Sequence, residues 1–238
     1  MKRTFITILC LLAGVSAFAA PADNKLTKEE EKAGWKLLWD GKSLDGWVAC
    51  NENKNAEDGW FISEGRLCTR KFEGDKKTIV DICTDRKYTN FILSLEVMIT
   101  PGANSGVKYF IQRGKMDNVG CEFQVLDDDL HPDAKKGVNG NRTAGSLYDL
   151  IPADKSGTAF PVGEWNKVQV IVRGNHVEHW LNGVKVVDYY RNNQTFDALV
   201  QNSKFAKFKG FGNFPDGYIL LQNHQDEVFY KNIKLKEL

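Results

Sequence analysis

Polar side chains of the kinds that transfer protons or bind hydroxyl groups recur inside several short, otherwise apolar segments of the sequence. Lys108 lies in GVKYFIQ, Glu122 and Gln124 lie in CEFQVLD, and Gln222 and His224 lie in LLQNH. Residues two apart in a strand point to the same face, so these groups must face water or a site. A solvent-exposed face of a sheet is usually rich in Lys, Glu and Thr. The polar residues named here also include Gln and His, and such side chains can exchange protons or form directional hydrogen bonds with sugar hydroxyls. The set predicts a carbohydrate-binding groove.

Four further candidates lie near the middle of the chain. Tyr148 and His179 each alternate with apolar residues, in the short segments SLYD and EHWLN. His131 and Arg142 belong to a loop of residues 127–145 that is rich in Gly and Asn. Long ordered loops beside a sheet often carry binding residues. We therefore expect these four side chains to take part in substrate binding or proton transfer, and we expect Asp127, at the start of the loop, to bind substrate.

A divalent cation is the one cofactor that the sequence leaves open. The loop begins with the acidic run Asp127, Asp128 and Asp129, and carboxylate oxygens are ligands that hard cations such as calcium prefer. The run lacks the spaced acidic residues and central Gly of a helix-flanked calcium loop. We therefore expect no cofactor, with cation binding as the alternative.

The elements that must position these groups are short strands. From Trp35 onward, apolar or alternating runs are separated by Gly, Asn and Asp, a pattern typical of antiparallel strands joined by tight turns. Explicit hairpin turns occur at Glu64-Gly65, Gly174-Asn175 and Asn182-Gly183. One short helical segment is predicted near 195–202. The pattern predicts one all-β domain over residues 35–238, a jelly-roll β-sandwich of two antiparallel sheets, after a short polar N-terminal lead-in at 20–34.

The first 19 residues have the three parts of a secretory signal peptide. Lys2 and Arg3 are followed by an apolar run from Phe5 to Val15 and by the small-residue sequence Ala17-Phe18-Ala19. The apolar run is shorter than the roughly 20 residues that a membrane-spanning helix needs. Cleavage after Ala19 would release a periplasmic or extracellular protein, and we expect no membrane insertion.

The charge of the chain argues against a nucleic-acid partner. The 238 residues include 32 Lys and Arg and 31 Asp and Glu, for a net charge of +1. Removing the signal peptide takes away two positive charges and no negative one. The mature chain therefore has no basic excess that would attract nucleic acid or anionic lipid.

Four cysteines remain after the signal peptide is removed. They are Cys50, Cys68, Cys83 and Cys121, and none has the spacing of a CxxC motif or of a Cys and His zinc site. In an oxidising compartment they could form disulfides, but four cysteines allow three pairings. We expect a structural role for them, as core thiols or as a disulfide.

Several motifs occur in order along nearly the whole mature chain. They are LWDGKSLDGW at 38–47, NSGV at 104–107, EFQVLD at 122–127, the strand at 145–148, GEWN at 163–166, HWLNG at 179–183, and Asn223-His224. Together they resemble the 3-keto-disaccharide hydrolase family, which is common in secreted bacterial proteins. The resemblance implies a concanavalin-like, laminarinase-like sandwich, and activity on oxidised glycosides that carry a ketone at C3.

A C3 ketone suggests a specific reaction. The ketone acidifies the proton on C2, so a general base can remove it and the enolate can expel the group on C1. Adding water to the product completes a net hydrolysis. This route needs a base, an enolate stabiliser and an acid for the leaving oxygen. The candidates are Glu122 or His224 as base, Lys108 or a bound cation at the oxyanion, Tyr148 or His179 as acid or orienting group, and Asn104, Gln124 and Gln222 on sugar hydroxyls.

A laminarinase-type glycoside hydrolase is the first alternative. Glu122, Gln124 and Asp127 have the i, i+2, i+5 spacing of that group's Glu-x-Asp-x-x-Glu motif. In a regular strand, i and i+5 point to opposite faces, so Asp127 would join Glu122 only across a bulge. The middle Asp is replaced here by Gln and the final Glu by Asp, and both changes weaken a two-carboxylate mechanism.

A lectin-like module without catalysis is the second alternative, because one fold can serve binding or catalysis. Trp47, Trp60, Trp165 and Trp180 could stack on sugar faces. Trp residues of a sandwich more often belong to the core. Convergence of the ionisable residues in one pocket would favour an enzyme, whereas a flat face with exposed Trp would favour binding alone.

Overall fold

A computed structural model of the protein describes residues 22–71, 79–114 and 118–238. The predicted signal peptide lies outside the described residues. The strands are β1 Trp35–Leu37, β2 Trp47–Ala49, β3 Trp60–Ser63, β4 Arg66–Thr69, β5 Ile82–Thr84, β6 Phe91–Ile99, β7 Asn104–Ile111, β8 Cys121–Leu126, β9 Asn166–Arg173, β10 His176–Leu181, β11 Val184–Tyr190, β12 Tyr218–Leu221 and β13 Val228–Glu237. The helices are α1 Lys28–Lys32 and α2 Gln194–Gln201, with 3₁₀ turns at Ala56–Asp58 and Pro132–Lys135.

The strands form two antiparallel sheets. The large sheet has the order β11-β10-β9-β6-β13-β4-β3, with β1 also paired to β13, and the small sheet has the order β2-β5-β12-β7-β8. Neighbours in the sheets are often distant in sequence, as for β13, which pairs with β1, β4 and β6. The predicted all-β sandwich of two antiparallel sheets is confirmed.

The main core lies between the two sheets and follows the alternation of the sequence. In β9 the side chains of Val168, Val170 and Val172 are fully buried, and the residues between them are more exposed. Trp47 and Trp60 are also buried, and their indole N–H groups donate to the carbonyls of Leu38 and Val80, respectively. These two tryptophans stabilise the core and do not form an exposed sugar-stacking surface.

The predicted hairpin turns and the predicted helical segment are present. The strand pairs β3 and β4, β9 and β10, and β10 and β11 are joined at the three Gly-containing turns. Asn193 caps the first turn of α2 by accepting from the Phe196 amide at 2.8 Å. The segment predicted as a strand at 145–149 forms turns instead, with single bridges at Leu147 to Phe123 and Ile151. None of the helices in the described part of the chain is long and apolar enough to cross a membrane.

An irregularity at Phe110 changes the direction of the side chains at the end of β7. Phe110 has a left-handed φ of 59°, and the register with β12 shifts between Tyr218 and Leu220. Phe110 therefore packs in the main core, while Ile111 packs against Leu220 on the opposite face. Strict alternation, which would place Phe110 on the face of Lys108, is wrong here because of this bulge.

His179 lies in the core and not at the pocket, which corrects the prediction that it binds substrate. It is fully buried, its Nδ1–H donates to the Gly145 carbonyl at 3.0 Å, and its Nε2 accepts from the Tyr109 hydroxyl at 2.7 Å. Tyr109 in turn lies 3.0 Å from the hydroxyl of Tyr189. Burial lowers the pKa of His179 to about 4, so the ring is neutral and joins the two sheets by hydrogen bonds.

We predict that His179→Phe lowers the free energy of unfolding by about 1–3 kcal/mol and the Tm by about 2–10 °C, because buried polar partners lose their hydrogen bonds. The unfolded histidine binds a proton below its ordinary pKa of 6.5, and the folded one does so only near 4. The native histidine should therefore make stability fall as the pH drops from 6.5 towards 4, and the variant should lack this component.

Chemical denaturation of both proteins between pH 4 and 8 measures the difference. Any activity of the parent protein should stay within a factor of about two at temperatures where both proteins are folded. A variant with unchanged stability but weakened substrate binding would contradict the core assignment.

Candidate active site

A pocket of about 650 Å³ lies on the face of the small sheet that points away from the main core. Strands β7, β8 and β12 form its floor, because residues opposite one another in these strands share a face. Two loops cover it, one after β8 and one after α2. All four residues predicted to be catalytic line the pocket, together with five predicted to bind substrate: Lys108, Glu122, Tyr148, His224, Asn104, Gln124, His131, Arg142 and Gln222.

The centre of the floor is the pair formed by Glu122 and Lys108. The two residues are directly opposite in the β7 and β8 register, and Lys108 Nζ lies 3.9 Å from Glu122 Oε2. Glu122 is only 6% exposed. Burial raises the pKa of its carboxyl, while the positive charges of Lys108 and Lys204 act in the opposite direction. A carboxylate whose pKa is raised is a stronger base than an ordinary one and is better suited to accept a proton.

Amide side chains continue the floor beside this pair. Gln124 Nε2 donates to Asn104 Oδ1 at 3.4 Å. Gln124 Oε1 is buried and has no hydrogen-bond partner within the described residues. A buried carbonyl oxygen is costly to leave unpaired, so this atom is available to a substrate hydroxyl. The floor thus combines a proton acceptor with groups that can hold a sugar.

Tyr148 belongs to a hydrogen-bonded network under the first covering loop. Its hydroxyl donates to Asp133 Oδ2 at 2.6 Å and accepts from Lys204 Nζ at 3.0 Å. Arg142 holds the same loop by donating to Asp133 at 3.0 Å and to Asp149 at 2.6 Å. Burial and the neighbouring Asp133 carboxylate raise the pKa of Tyr148, so the phenol is neutral.

Several pocket residues were not predicted from the sequence. Asp133 was seen only as part of the loop, and Lys136, Lys204, Phe205, Lys207 and Phe208 were not considered. The last four belong to KFAKF at 204–208, where cationic and aromatic residues alternate without lying in a strand. Loss of water contact lowers the pKa of Lys204, and the positive charge of Arg142 acts in the same direction. The KFAKF spacing was the sequence signal that could have predicted this side of the pocket.

Asp81 is a further ionisable residue next to the floor. Its Oδ1 accepts from the Asn223 amide at 2.8 Å. Burial raises the pKa of Asp81, and the nearby charges of Lys108 and His224 oppose that shift. Two acidic groups, Asp81 and Glu122, therefore share the positive charge of Lys108. Nothing in the local sequence pattern distinguished Asp81 from a strand-end residue.

Asp127 lies away from the pocket, which corrects its prediction as a substrate ligand. Its carboxylate accepts from the amides of Gly102, Asp129 and Leu130 at 2.8–3.0 Å. Burial acts to raise the pKa of Asp127, but these amide hydrogen bonds outweigh it and the pKa is lowered. Asp127 therefore stabilises the turn after β8. It does not supply the second carboxylate that a laminarinase-type site would require.

Three groups at the mouth of the pocket could hold a metal ion. His131, His224 and Asp226 each offer a ligand atom, and these atoms lie within 4.8 Å of one another. The His131 and His224 rings meet nearly at right angles, with centroids 5.9 Å apart. The Asp133 amide donates to His131 Nδ1 at 3.2 Å, so a cation bound at that nitrogen would have to displace the amide. Two imidazoles and a carboxylate suit a borderline or hard divalent cation.

Comparison with known proteins decides the family. Residues 34–236 match the family described as a 3-keto-alpha-glucoside-1,2-lyase-like domain. A 3-keto-disaccharide hydrolase from Bacteroides thetaiotaomicron is 34% identical over 233 aligned residues, which cover 86% of this chain and 79% of the relative. The chain belongs to the 3-keto-disaccharide hydrolase family. The resemblance seen in the ordered motifs is thereby confirmed, and the protein is a carbohydrate-active enzyme of the glycoside hydrolase type.

Solved structures agree with this assignment. A putative glycosyl hydrolase from Parabacteroides distasonis superposes with a TM-score of 0.81 at 30% identity, covering 91% of this chain and all of that one. A second from the same organism has a TM-score of 0.63 at 25% identity, with coverages of 86% and 99%. The laminarinase catalytic domain of Thermotoga maritima, at 12% identity and a TM-score of 0.50, shares the fold alone. The predicted concanavalin-like, laminarinase-like sandwich is confirmed.

We predict that Gly106→Ala disables this member of the 3-keto-disaccharide hydrolase family without unfolding it. Gly106 faces the pocket floor, and a Cβ there would overlap the Glu122 carboxylate. The carboxylate is the end of a flexible side chain, so it should move aside. A displacement of about 1 Å at a catalytic group can cost roughly 10²-fold, so kcat/KM for glycoside cleavage should fall about 10- to 100-fold.

Gly157→Ala is the matched control, because its Cβ would meet Val184 at an ordinary contact distance of 3.6 Å. Its kcat/KM should equal that of the parent protein. Thermal melts of both variants separate a local effect from unfolding. An unchanged kcat/KM in Gly106→Ala would show that Glu122 takes no part in the reaction.

Proposed function

We propose that this protein cleaves 3-keto-glycosides by removing the C2 proton, eliminating the group on C1 and adding water to the product. The observation that carries the proposal is the buried Glu122 carboxylate beside Lys108 on the floor of the pocket. A base with a raised pKa can abstract a proton acidified by a ketone. The ammonium group 3.9 Å away can stabilise the negative charge that develops on the ketone oxygen.

The proposed reaction has three steps. Glu122 accepts the proton from C2, and the electron pair forms an enolate whose charge lies on the C3 oxygen near Lys108. The enolate then re-forms the ketone, the C1–O bond breaks, and the departing oxygen takes a proton from an acid. Water finally adds across the C1–C2 double bond, placing hydroxyl on C1 and hydrogen on C2. The products are the free 3-keto sugar and the released alcohol, a net hydrolysis.

The acid for the departing oxygen is proposed to be Tyr148. Its hydroxyl lines the pocket and lies between Asp133 and Lys204, which could pass a replacement proton. His179, the other candidate, is buried in the core and cannot reach the pocket. His224 remains the alternative base. Asn104, Gln124 and Gln222 are proposed to bind sugar hydroxyls, because their amide groups line the floor.

The alternatives have less support from the geometry. A two-carboxylate hydrolase needs a second carboxylate free to act with Glu122, but Asp127 is held by three backbone amides and Asp133 by Tyr148 and Arg142. A lectin-like module would need exposed aromatic faces for sugars. Trp47 and Trp60 are buried, and the partly exposed Trp165 and Trp180 lie outside the pocket lining. We also propose that the protein is exported, as the first 19 residues predict.

The decisive experiment compares a glucoside with its 3-keto derivative. Only the keto compound should release its alcohol, because without the ketone the C2 proton is too weakly acidic for a side chain to remove. Glu122→Gln should lower kcat by roughly 10²- to 10⁴-fold with little change in KM. Because burial raises the pKa of Glu122, the acidic limb of kcat/KM should lie above its ordinary value of 4.5 and disappear in the variant.

A C2-deuterated substrate provides an independent measurement, since it should react more slowly if proton removal limits the rate. Glu178→Gln is a control carboxamide substitution, because Glu178 lies in β10 outside the pocket lining. Equal cleavage of the parent glucoside would exclude elimination and favour the two-carboxylate hydrolase. Binding of both compounds without cleavage of either would favour the lectin-like module.

We propose further that His131, His224 and Asp226 bind a divalent cation at the mouth of the pocket. The convergence of their ligand atoms favours the cation alternative over the expectation of no cofactor. When bound, such an ion supplies positive charge for substrate oxygen atoms. Only a neutral imidazole can bind a cation, so binding should weaken in acid.

Titration with Mn²⁺ or Zn²⁺ by calorimetry tests this site. Asp226→Asn should lower the affinity by about 10-fold or more, and a chelator should reduce cleavage in the parent protein. A second group of possible ligands consists of His176, Glu178 and Asp188. Lys185 already pairs with both of its carboxylates, so His176→Ala is the matched control and should leave the cation affinity unchanged. Equal cation affinity in the parent and in Asp226→Asn would exclude the site.

A further inference from the structure

The four cysteines of the described chain fall into two groups. Cys68 lies in β4 of the large sheet, and Cys121 packs in the main core. Cys50 and Cys83 instead share a small hydrophobic cluster with Ile111 and Leu220 on the small sheet. We propose that Cys50 and Cys83 form a disulfide in the exported protein, leaving Cys68 and Cys121 as thiols. The occurrence of this bond in the cell rests on the proposed export.

The strand register brings the two thiols together. In the antiparallel pairing of β2 with β5, Val48 is opposite Cys83, and the Cys50 amide donates to the Asp81 carbonyl at 2.9 Å. Cys50 is therefore a diagonal neighbour of Cys83 on the same face. The register and the shared cluster thus make Cys50 and Cys83 neighbours, and forming the bond would also need a small backbone shift at the end of β2.

The alternative pairings have no such geometry. Cys121 packs in the main core. Its sulfur lies so close to Gly212 that a Cβ added to that glycine would be 2.8 Å away. Cys68 lies opposite Phe61 and Phe229 in the large sheet. The register thus favours the single bond between Cys50 and Cys83 and leaves Cys68 and Cys121 as thiols.

Burial determines when the bond can form. Cys50 is 2% exposed and Cys83 is fully buried. Burial raises the pKa of the Cys50 thiol, and the neighbouring Cys83 adds to the effect. Thiolate is the reactive form, so an oxidant meets little of it in the folded protein. Cys50 follows the three-residue edge strand β2, so both thiols are accessible only before that strand pairs with β5.

The chemical step is an exchange with an external disulfide during folding. One thiolate attacks the disulfide of the oxidant, such as oxidised glutathione or a protein disulfide oxidase, and releases one thiol. The second cysteine then attacks the mixed disulfide and releases the other thiol. The two cysteines lose two electrons and two protons, and the oxidant is reduced to two thiols. The new bond closes a loop over residues 51–82.

The first test is refolding of denatured protein with a mixture of oxidised and reduced glutathione, followed by alkylation and tryptic mapping without reduction. Cleavage at Lys and Arg leaves Cys50 in the peptide 43–54 and Cys83 in the peptide 78–86. These peptides should appear cross-linked, whereas the peptides with Cys68 and Cys121 should be alkylated. Alkylated Cys50 and Cys83, or a cross-link to Cys68 or Cys121, would overturn the proposal.

The second test compares thermal stability after refolding with oxidised glutathione or with a reductant. Closing a loop of this length should raise the Tm by about 5–15 °C. The double variant Cys50→Ala and Cys83→Ala should show no difference between the two conditions, and Cys68→Ala should keep it. Glutathione added to protein already folded in the reduced state should leave the thiols free for hours. An equal Tm under both conditions in the parent protein would also overturn the proposal.

Neither measurement uses catalytic activity. Their outcome is therefore independent of whether 3-keto-glycosides are the substrate, and failure of one proposal does not imply failure of the other.

Discussion

The site depends on a carboxylate that is kept from water beside a single ammonium group. Glu122 occupies a strand whose other face packs in the main core through Phe123 and Val125, so it cannot turn towards solvent. Its charge is costly unless Lys108, directly opposite, compensates for it. In the proposed function this tension makes the carboxylate a stronger base, and the covering loops keep water from the pair.

The floor of the pocket could be predicted because its pattern is local. Glu122, Gln124 and Lys108 alternate with apolar residues, and the alternation of a regular strand assigns them to one face. The prediction for His179 was wrong, because its neighbours at two-residue spacing, Val177 and Leu181, are core residues. The alternation of β10 therefore places the histidine on the buried face and not at the pocket.

The rest of the site could not be predicted, because it depends on contacts between distant segments. Asp81 acquires its position from a bond to the Asn223 amide, 142 residues away in sequence. Lys204 reaches the pocket because its amide donates to Asp149 and its ammonium to Tyr148. The bulge at Phe110 depends on the close approach of Gly217, whose missing side chain makes room for the backbone. No short sequence window contains both partners of these contacts.

The pocket has a floor of hydrogen-bonded strands and a cover of loops, and this division has an evolutionary consequence. A substitution in β7 or β8 changes groups that share a register with the neighbouring strands, so the reactive pair tolerates little variation. The loops at 127–149 and 204–208 are joined by side-chain contacts such as that of Lys204 with Tyr148, while the backbone at 145–148 bonds to β8. Insertions and exchanges there are tolerated by the fold. Under the proposed function, related chains could therefore diverge in the alcohol they release while retaining one chemistry.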